Sequence, residues 1–160
     1  MVPDFVYDEP VRVYFGAGRL ASLSAVLADL GLHTCVIVCG PHFEAQARAL
    51  AASCPEVKGI WAGVEPNPQL SGVCESARLA RERGAEAVVG VGGGSAIDTA
   101  KFAAAAALGD LPPADYYGGA AFPRQRLAVV AVPTTAGTGS EVTQVSVVND
   151  GAQKKTINDP

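Results

Sequence analysis

The sequence predicts an α/β protein: a parallel sheet with helices on both faces, followed by a C-terminal β-hairpin. Short apolar, β-branched runs alternate with stretches of helical periodicity as far as residue 133. Repeated β-then-α units of this kind build parallel sheets through right-handed crossovers. Beyond them, "VTQVSVVNDGAQKKTI" (142–157) reads as two strands around a turn signalled by Asp150-Gly151.

The elements follow in order. "VRVYF" (Val11–Phe15) alternates like a half-buried strand, and "RLASLSAVLADLG" sets Leu20, Leu23, Leu27 and Leu30 on one helical face before a stop at Gly31. "TCVIVCG" (Thr34–Gly40) reads as a buried strand and "HFEAQARALAAS" as a helix. "EVKGIWAGV" is the next strand. "EPNPQL" breaks it, and Pro68 is placed to open a helix through "LSGVCESARLARERG". "AEAVVGV" is a strand and "AIDTAKFAAAAALG" a helix, whereas "DLPPADYYGGAAFPR" is a loop of breakers in which Tyr116 and Tyr117 serve packing or surface. "RLAVVAV" is a strand that ends at Pro133.

The 160 residues suit one domain, and 49% hydrophobic against 18% charged residues excludes a disordered chain. A net charge of −4 argues against binding nucleic acid or an anionic membrane. No apolar run reaches the roughly 20 residues of a membrane span, and the acidic start "MVPDFVYDEP" does not read as a signal peptide. Four cysteines without a CxxC pair read as buried, reduced thiols of a cytoplasmic protein. The chain stops directly after the hairpin with no closing helix, the pattern of a portion of a longer protein.

"VVGVGGGSAIDTAK" carries the chemistry. Each glycine costs about 0.5–1 kcal/mol of folding entropy relative to alanine, so three in a row need a reason. Gly92, Gly93 and Gly94 fall between a buried strand and a helix, where ligands of open α/β sheets bind. Backbone without Cβ atoms can approach an anion closely, and the helix N-terminus adds its dipole. Ser95 can offer its hydroxyl to a ligand or cap the helix. Asp98 can complete a reciprocal cap with Ser95 or act at the ligand, and the pattern leaves both open. The run is neither G-x-G-x-x-G nor a Walker loop, and a tight turn without a ligand is the plainer alternative. A second loop, "PTTAGTGSE" (133–141), should reach the same sheet edge and adds the hydroxyls of Thr134, Thr135, Thr138 and Ser140. Two small, hydroxyl-rich loops at one edge suit a ligand with a diphosphate and riboses.

"EPNP", "GVGGGSAIDTAK", "VPTTAGTGSEVT" and "KKTINDP", in that order, resemble the N-terminal part of iron-containing (group III) alcohol dehydrogenases, relatives of glycerol dehydrogenase, dehydroquinate synthase and maleylacetate reductase. The resemblance implies a Rossmann-like, dehydroquinate synthase-like N-terminal domain over residues 1–160. The family's second, helical domain is absent from this sequence. It implies NAD or NADP as coenzyme, an alcohol or aldehyde substrate, and a divalent metal (iron or zinc) held by the helical domain. By position, Gly93, Gly94 and Ser95 resemble the family's pyrophosphate turn. Thr134, Thr135 and Thr138 resemble residues around the phosphates, ribose and nicotinamide, and Asn67 resembles one near the adenosine. Lys154 resembles a lysine that reaches the coenzyme, and Asp98 an aspartate near the coenzyme cleft. Gly40 stands where NAD-preferring members often carry an aspartate, which implies that a 2′-phosphate is tolerated. No catalytic residue and no metal ligand falls in this chain, and His33 and His42 match neither role. The N-terminal strands of the family often pair between subunits, so a homodimer through "VRVYF" is the candidate assembly. The alternatives are a metal-independent reductase of the maleylacetate type and a non-catalytic nucleotide-binding or oligomerisation module.

Overall fold

The computed structural model describes residues 11–158. Its main sheet has the strands β1 (Cys35–Cys39), β2 (Val57–Trp61), β3 (Ala87–Gly92) and β4 (Ala128–Pro133) in the order β2-β1-β3-β4, all parallel. Helices α1 (Leu23–Asp29), α2 (Glu44–Ser53), α3 (Leu70–Glu82) and α4 (Gly94–Ala106) connect and cover it. Strands β5 (Val145–Asp150) and β6 (Gln153–Asn158) form the antiparallel hairpin, whose two-residue loop starts at Gly151 with φ 57°.

Strand alternation divides the sheet into two faces. Cys35, Ile37, Cys39, Val89 and Val91 pack with Leu23 and Leu27 of α1 and Ala47 and Leu50 of α2. Val36, Val38 and Val88 pack on the other side with alanines of α3 and α4. A third cluster joins Leu70 and Val73 of α3 and Phe102 of α4 to Val148 and Ile157, and so seats the hairpin. Gln69 reinforces that seat by bridging to Asn149, whose N–H donates to the Pro68 carbonyl at 2.8 Å.

Two expectations are corrected. Val11–Phe15 forms no strand: it joins neither sheet, and Val13 and Phe15 are 67% and 94% exposed. Arg12 and Tyr14 turn their side chains to Asp29 at the end of α1. The breaker-rich loop contains a short helix, α5 (Pro113–Gly118), started by proline at its first turn and ended by Gly119 with φ 111°. Tyr116 and Tyr117 of α5 are core residues. Tyr116 stacks on Phe122 with centroids 5.0 Å apart, and the Tyr117 hydroxyl donates to the Gln153 carbonyl at 2.9 Å. Pro68 lies one residue before the Gln69 cap of α3.

Gly90 lets α4 approach β3. A Cβ there would stand 2.8 Å from the Ala100 Cβ and 3.3 Å from the Ala96 carbonyl oxygen. Gly90→Ala is expected to lower stability by about 1–3 kcal/mol through overpacking, read as a lower urea midpoint at unchanged slope.

Burial pushes the Cys35 thiol up to about 12 from its ordinary 9.0. The folded chain therefore keeps a proton that the unfolded chain releases above pH 9. The stabilisation is complete below pH 9 and is lost as pH rises toward 12. Urea midpoints of wild type should fall faster between pH 8 and pH 10 than those of Cys35→Ala.

Candidate functional site

Parallel register aligns the carboxyl ends of three strands. Cys39 stands beside Val91 and Val91 beside Val132, so Gly40, Gly92 and Pro133 open onto one edge of the sheet. The β3–α4 turn and the loop after β4 both leave from this edge, and the Thr134 N–H donates to the Gly92 carbonyl at 2.9 Å.

The three glycines have three separate reasons. Gly92 takes φ 150°, and a Cβ on it would lie 2.8 Å from the Ala96 Cβ. A Cβ on Gly93 would lie 3.2 Å from the Thr135 Oγ1, and one on Gly94 3.3 Å from the Thr138 Cβ. The first of these glycines admits the helix. The other two admit the threonine loop. Gly93 caps α4 with its backbone, which leaves the amides of Gly94 and Ser95 at an open helix start. Ser95 lies inside the first turn and makes no capping bond, so the reciprocal cap with Asp98 does not form. Among the described residues, the hydroxyls of Ser95, Thr134 and Thr135 have no hydrogen-bond partner, whereas Thr138 accepts from the Ser140 N–H at 3.4 Å.

Beneath the loop lies a polar strut. The Asp98 carboxylate accepts from the Ser140 hydroxyl and, at 3.0 Å, from the Val147 N–H. It also pairs with Lys101 at 3.4 Å, the two side chains being 12% and 14% exposed. Lys101 Nζ donates to the carbonyls of Ser140 (2.9 Å), Thr143 (3.1 Å) and Val145. Burial pushes the Lys101 ammonium below its ordinary range, and Asp98 and Glu141 oppose that shift. The Glu141 Oε2 is buried with no hydrogen-bond partner among the described residues.

The model of the family described as iron-containing alcohol dehydrogenase matches residues 10–160. The chain belongs to the iron-containing alcohol dehydrogenase family. It is 34% identical over 152 residues to NADH-dependent butanol dehydrogenase B of Clostridium acetobutylicum, covering 92% of this chain and 39% of that one. It is 33% identical over 158 residues to a maleylacetate reductase of Pseudomonas sp., covering 98% and 40%. Its fold is similar to that of sulfoacetaldehyde reductase from Bifidobacterium kashiwanohense, solved in complex with NAD+, with TM-score 0.88 and 38% identity over 99% of this chain and 44% of that one. The chain thus spans about two fifths of the length of these relatives.

Within this family member, the sequence-derived candidates fall into three groups. Gly93, Gly94, Ser95, Thr134, Thr135 and Thr138 come together in the nested loops. Gly40 lies at the same edge, where a Cβ would stand 3.3 Å from the Val64 carbonyl oxygen, so close packing gives it a second reason to be glycine. Asn67, exposed in the left-handed region at φ 59°, and Lys154, exposed on β6 opposite Asn149, flank the Pro68 contact instead. Asp98 sits under the loop, and Ser140 spends its hydroxyl on Asp98. Sequence reasoning missed Lys101. Its signal was a lysine three residues after an aspartate in an otherwise apolar helix, a spacing that brings the two together.

A small cavity of about 200 Å³ lies beside the Asn67 turn, lined by Trp61, Gly63, Glu65, Pro68, Gly72 and Thr99. The larger one, about 880 Å³, runs along β4 and takes in Phe15, Phe102, Val130 and Glu141 but none of the glycines of the turn. Among the described residues no three His, Cys, Asp or Glu side chains gather as a metal site, and no helix is long and apolar enough to cross a membrane.

Removing one partner of a buried ion pair leaves the other uncompensated. Asp98→Ala is expected to cost about 3 kcal/mol, read by urea denaturation, whereas Asp115→Ala in the same assay should cost under about 0.5 kcal/mol.

Proposed function

We propose that this chain is the coenzyme-binding part of an NAD(P)-dependent alcohol dehydrogenase or aldehyde reductase. One observation carries the reading: two loops nest so closely at the open start of α4 that Cβ atoms on Gly93 and Gly94 would meet the threonines. The close nesting sets the exposed threonine hydroxyls beside the open amides of Gly94 and Ser95, a grouping of donors that suits a diphosphate. The NAD+ complex of the sulfoacetaldehyde reductase supports it.

In this reading the amides of Gly94 and Ser95 hold the diphosphate, joined by the Ser95 hydroxyl. Thr134, Thr135 and Thr138 line the path toward the nicotinamide. The adenosine end runs over Gly40 toward Asn67 and the small cavity beside it, with Lys154 on the neighbouring hairpin. Asp98 acts through the loop it holds. The bound nicotinamide supplies the hydride acceptor or donor. The divalent metal of the family finds no fitting ligand set in these residues, and we assign it, together with the substrate pocket, to sequence outside this chain. Four free cysteines suit the cytoplasm.

Titration with NADH should give saturable enhancement of the reduced nicotinamide fluorescence. Gly93→Val should weaken binding by at least about tenfold with an unchanged circular dichroism spectrum, because φ −80° lets the helix start form while the added side chain presses on Thr135 and covers the turn. No saturable enhancement in wild type overturns the reading. With glycine at position 40, NADPH should bind about as tightly as NADH, and a strict preference for NADH would overturn that part alone.

A further inference from the structure

Lys101 has no part in the coenzyme contacts proposed above, yet its surroundings are unusually specific. Three backbone carbonyls and one hydroxyl, all from residues 140–145, converge on its ammonium. That is the donor set of a bound monovalent cation, supplied here by a side chain. The segment it gathers has little regular structure of its own. Gly137 and Gly139 have φ 118° and 65°, and only a short 3-10 turn at Ser140–Val142 intervenes before β5. Asp98, one helical turn earlier, takes the Ser140 hydroxyl and the Val147 N–H and balances the Lys101 charge. Both side chains rise from α4, whose first residues form the glycine turn. One helix therefore holds the turn at its start and, about 10 Å further along its axis, the far end of the loop that nests on that turn.

We propose that Lys101 is a positioning residue: its ammonium fixes the threonine loop over the glycine turn and thereby sets the affinity for the dinucleotide. The second half of this statement rests on the coenzyme reading, and the first half does not.

The test uses Lys101→Met, which keeps the apolar stem and removes the ammonium, and Lys101→Arg, which keeps the charge with a different donor geometry. Leu27→Ala, on the opposite face of the sheet, serves as a control for loss of stability alone. Affinity for NADH is read by nicotinamide fluorescence, and loop order by amide hydrogen exchange over residues 134–145. Lys101→Met should weaken NADH by about tenfold or more and speed exchange in the loop, with Lys101→Arg intermediate. Leu27→Ala should lower Tm while leaving the NADH affinity within about twofold. In Lys101→Ala, methylammonium should restore affinity and sodium should not. A Lys101→Met protein that binds NADH within about twofold of wild type overturns the proposal. If Lys101→Met does not fold, Lys101→Arg decides by the same criterion. If wild type itself binds no NADH, the coenzyme reading fails, and hydrogen exchange alone decides whether Lys101 orders the loop: unchanged exchange overturns it.

Discussion

The architecture depends on how closely α4 can lie against β3. Gly90 and Gly92 present no side chain to it, and Ala96 and Ala100 present only methyl groups. That near approach lets α4 begin directly at the strand end, with its first amides facing outward beside the loop after β4. It also makes α4 the common neighbour of α3, β4 and the hairpin. A longer side chain at any of these positions would tilt the helix and move the turn, the loop and the hairpin together.

Against this close-packed apolar base, the Asp98–Lys101 pair is the polar counterpart. Two opposite charges removed from water gain little by themselves, because desolvation offsets most of their attraction. What they contribute is geometry. Their hydrogen bonds go to the Ser140 hydroxyl, the Val147 N–H and the carbonyls of Ser140, Thr143 and Val145, so residues 140–147 are tied to α4 at several points together. Ser140, which a reading of the loop as a row of hydroxyls would turn outward, is drawn inward by this arrangement. Thr134, Thr135 and Thr138 stay exposed.

Much of this was legible in the residues. The buried strands announced themselves as continuous apolar runs, and the strand–glycine–helix junction marked the sheet edge where the loops meet. What escaped had physical causes. Val11–Phe15 carries the alternation of a strand, but alternation alone does not place a segment in a sheet. The breaker-rich segment hid α5, since proline at a helix start and glycine just after its end are breakers that also bound a helix. Nothing in the alanine-rich run around Lys101 says what covers its ammonium. Only the fold, by wrapping residues 140–145 back over α4, turned it into a buried ligand for carbonyl oxygens. Gly93 and Gly94 show the reverse case. Their pattern suggested a ligand, and the structure adds that the same absence of side chains is demanded by the neighbouring threonines.

The two margins of the main sheet are not alike. Strand β2 carries the exposed Lys58, a charge that discourages further pairing, while β4, "AVVAVP", is apolar on both faces and flanks the large groove. An outermost strand with the composition of an interior one is a template for strand addition. Among the described residues, the sheet thus ends in a strand guarded by a charge on one side and in an apolar strand lining the groove on the other.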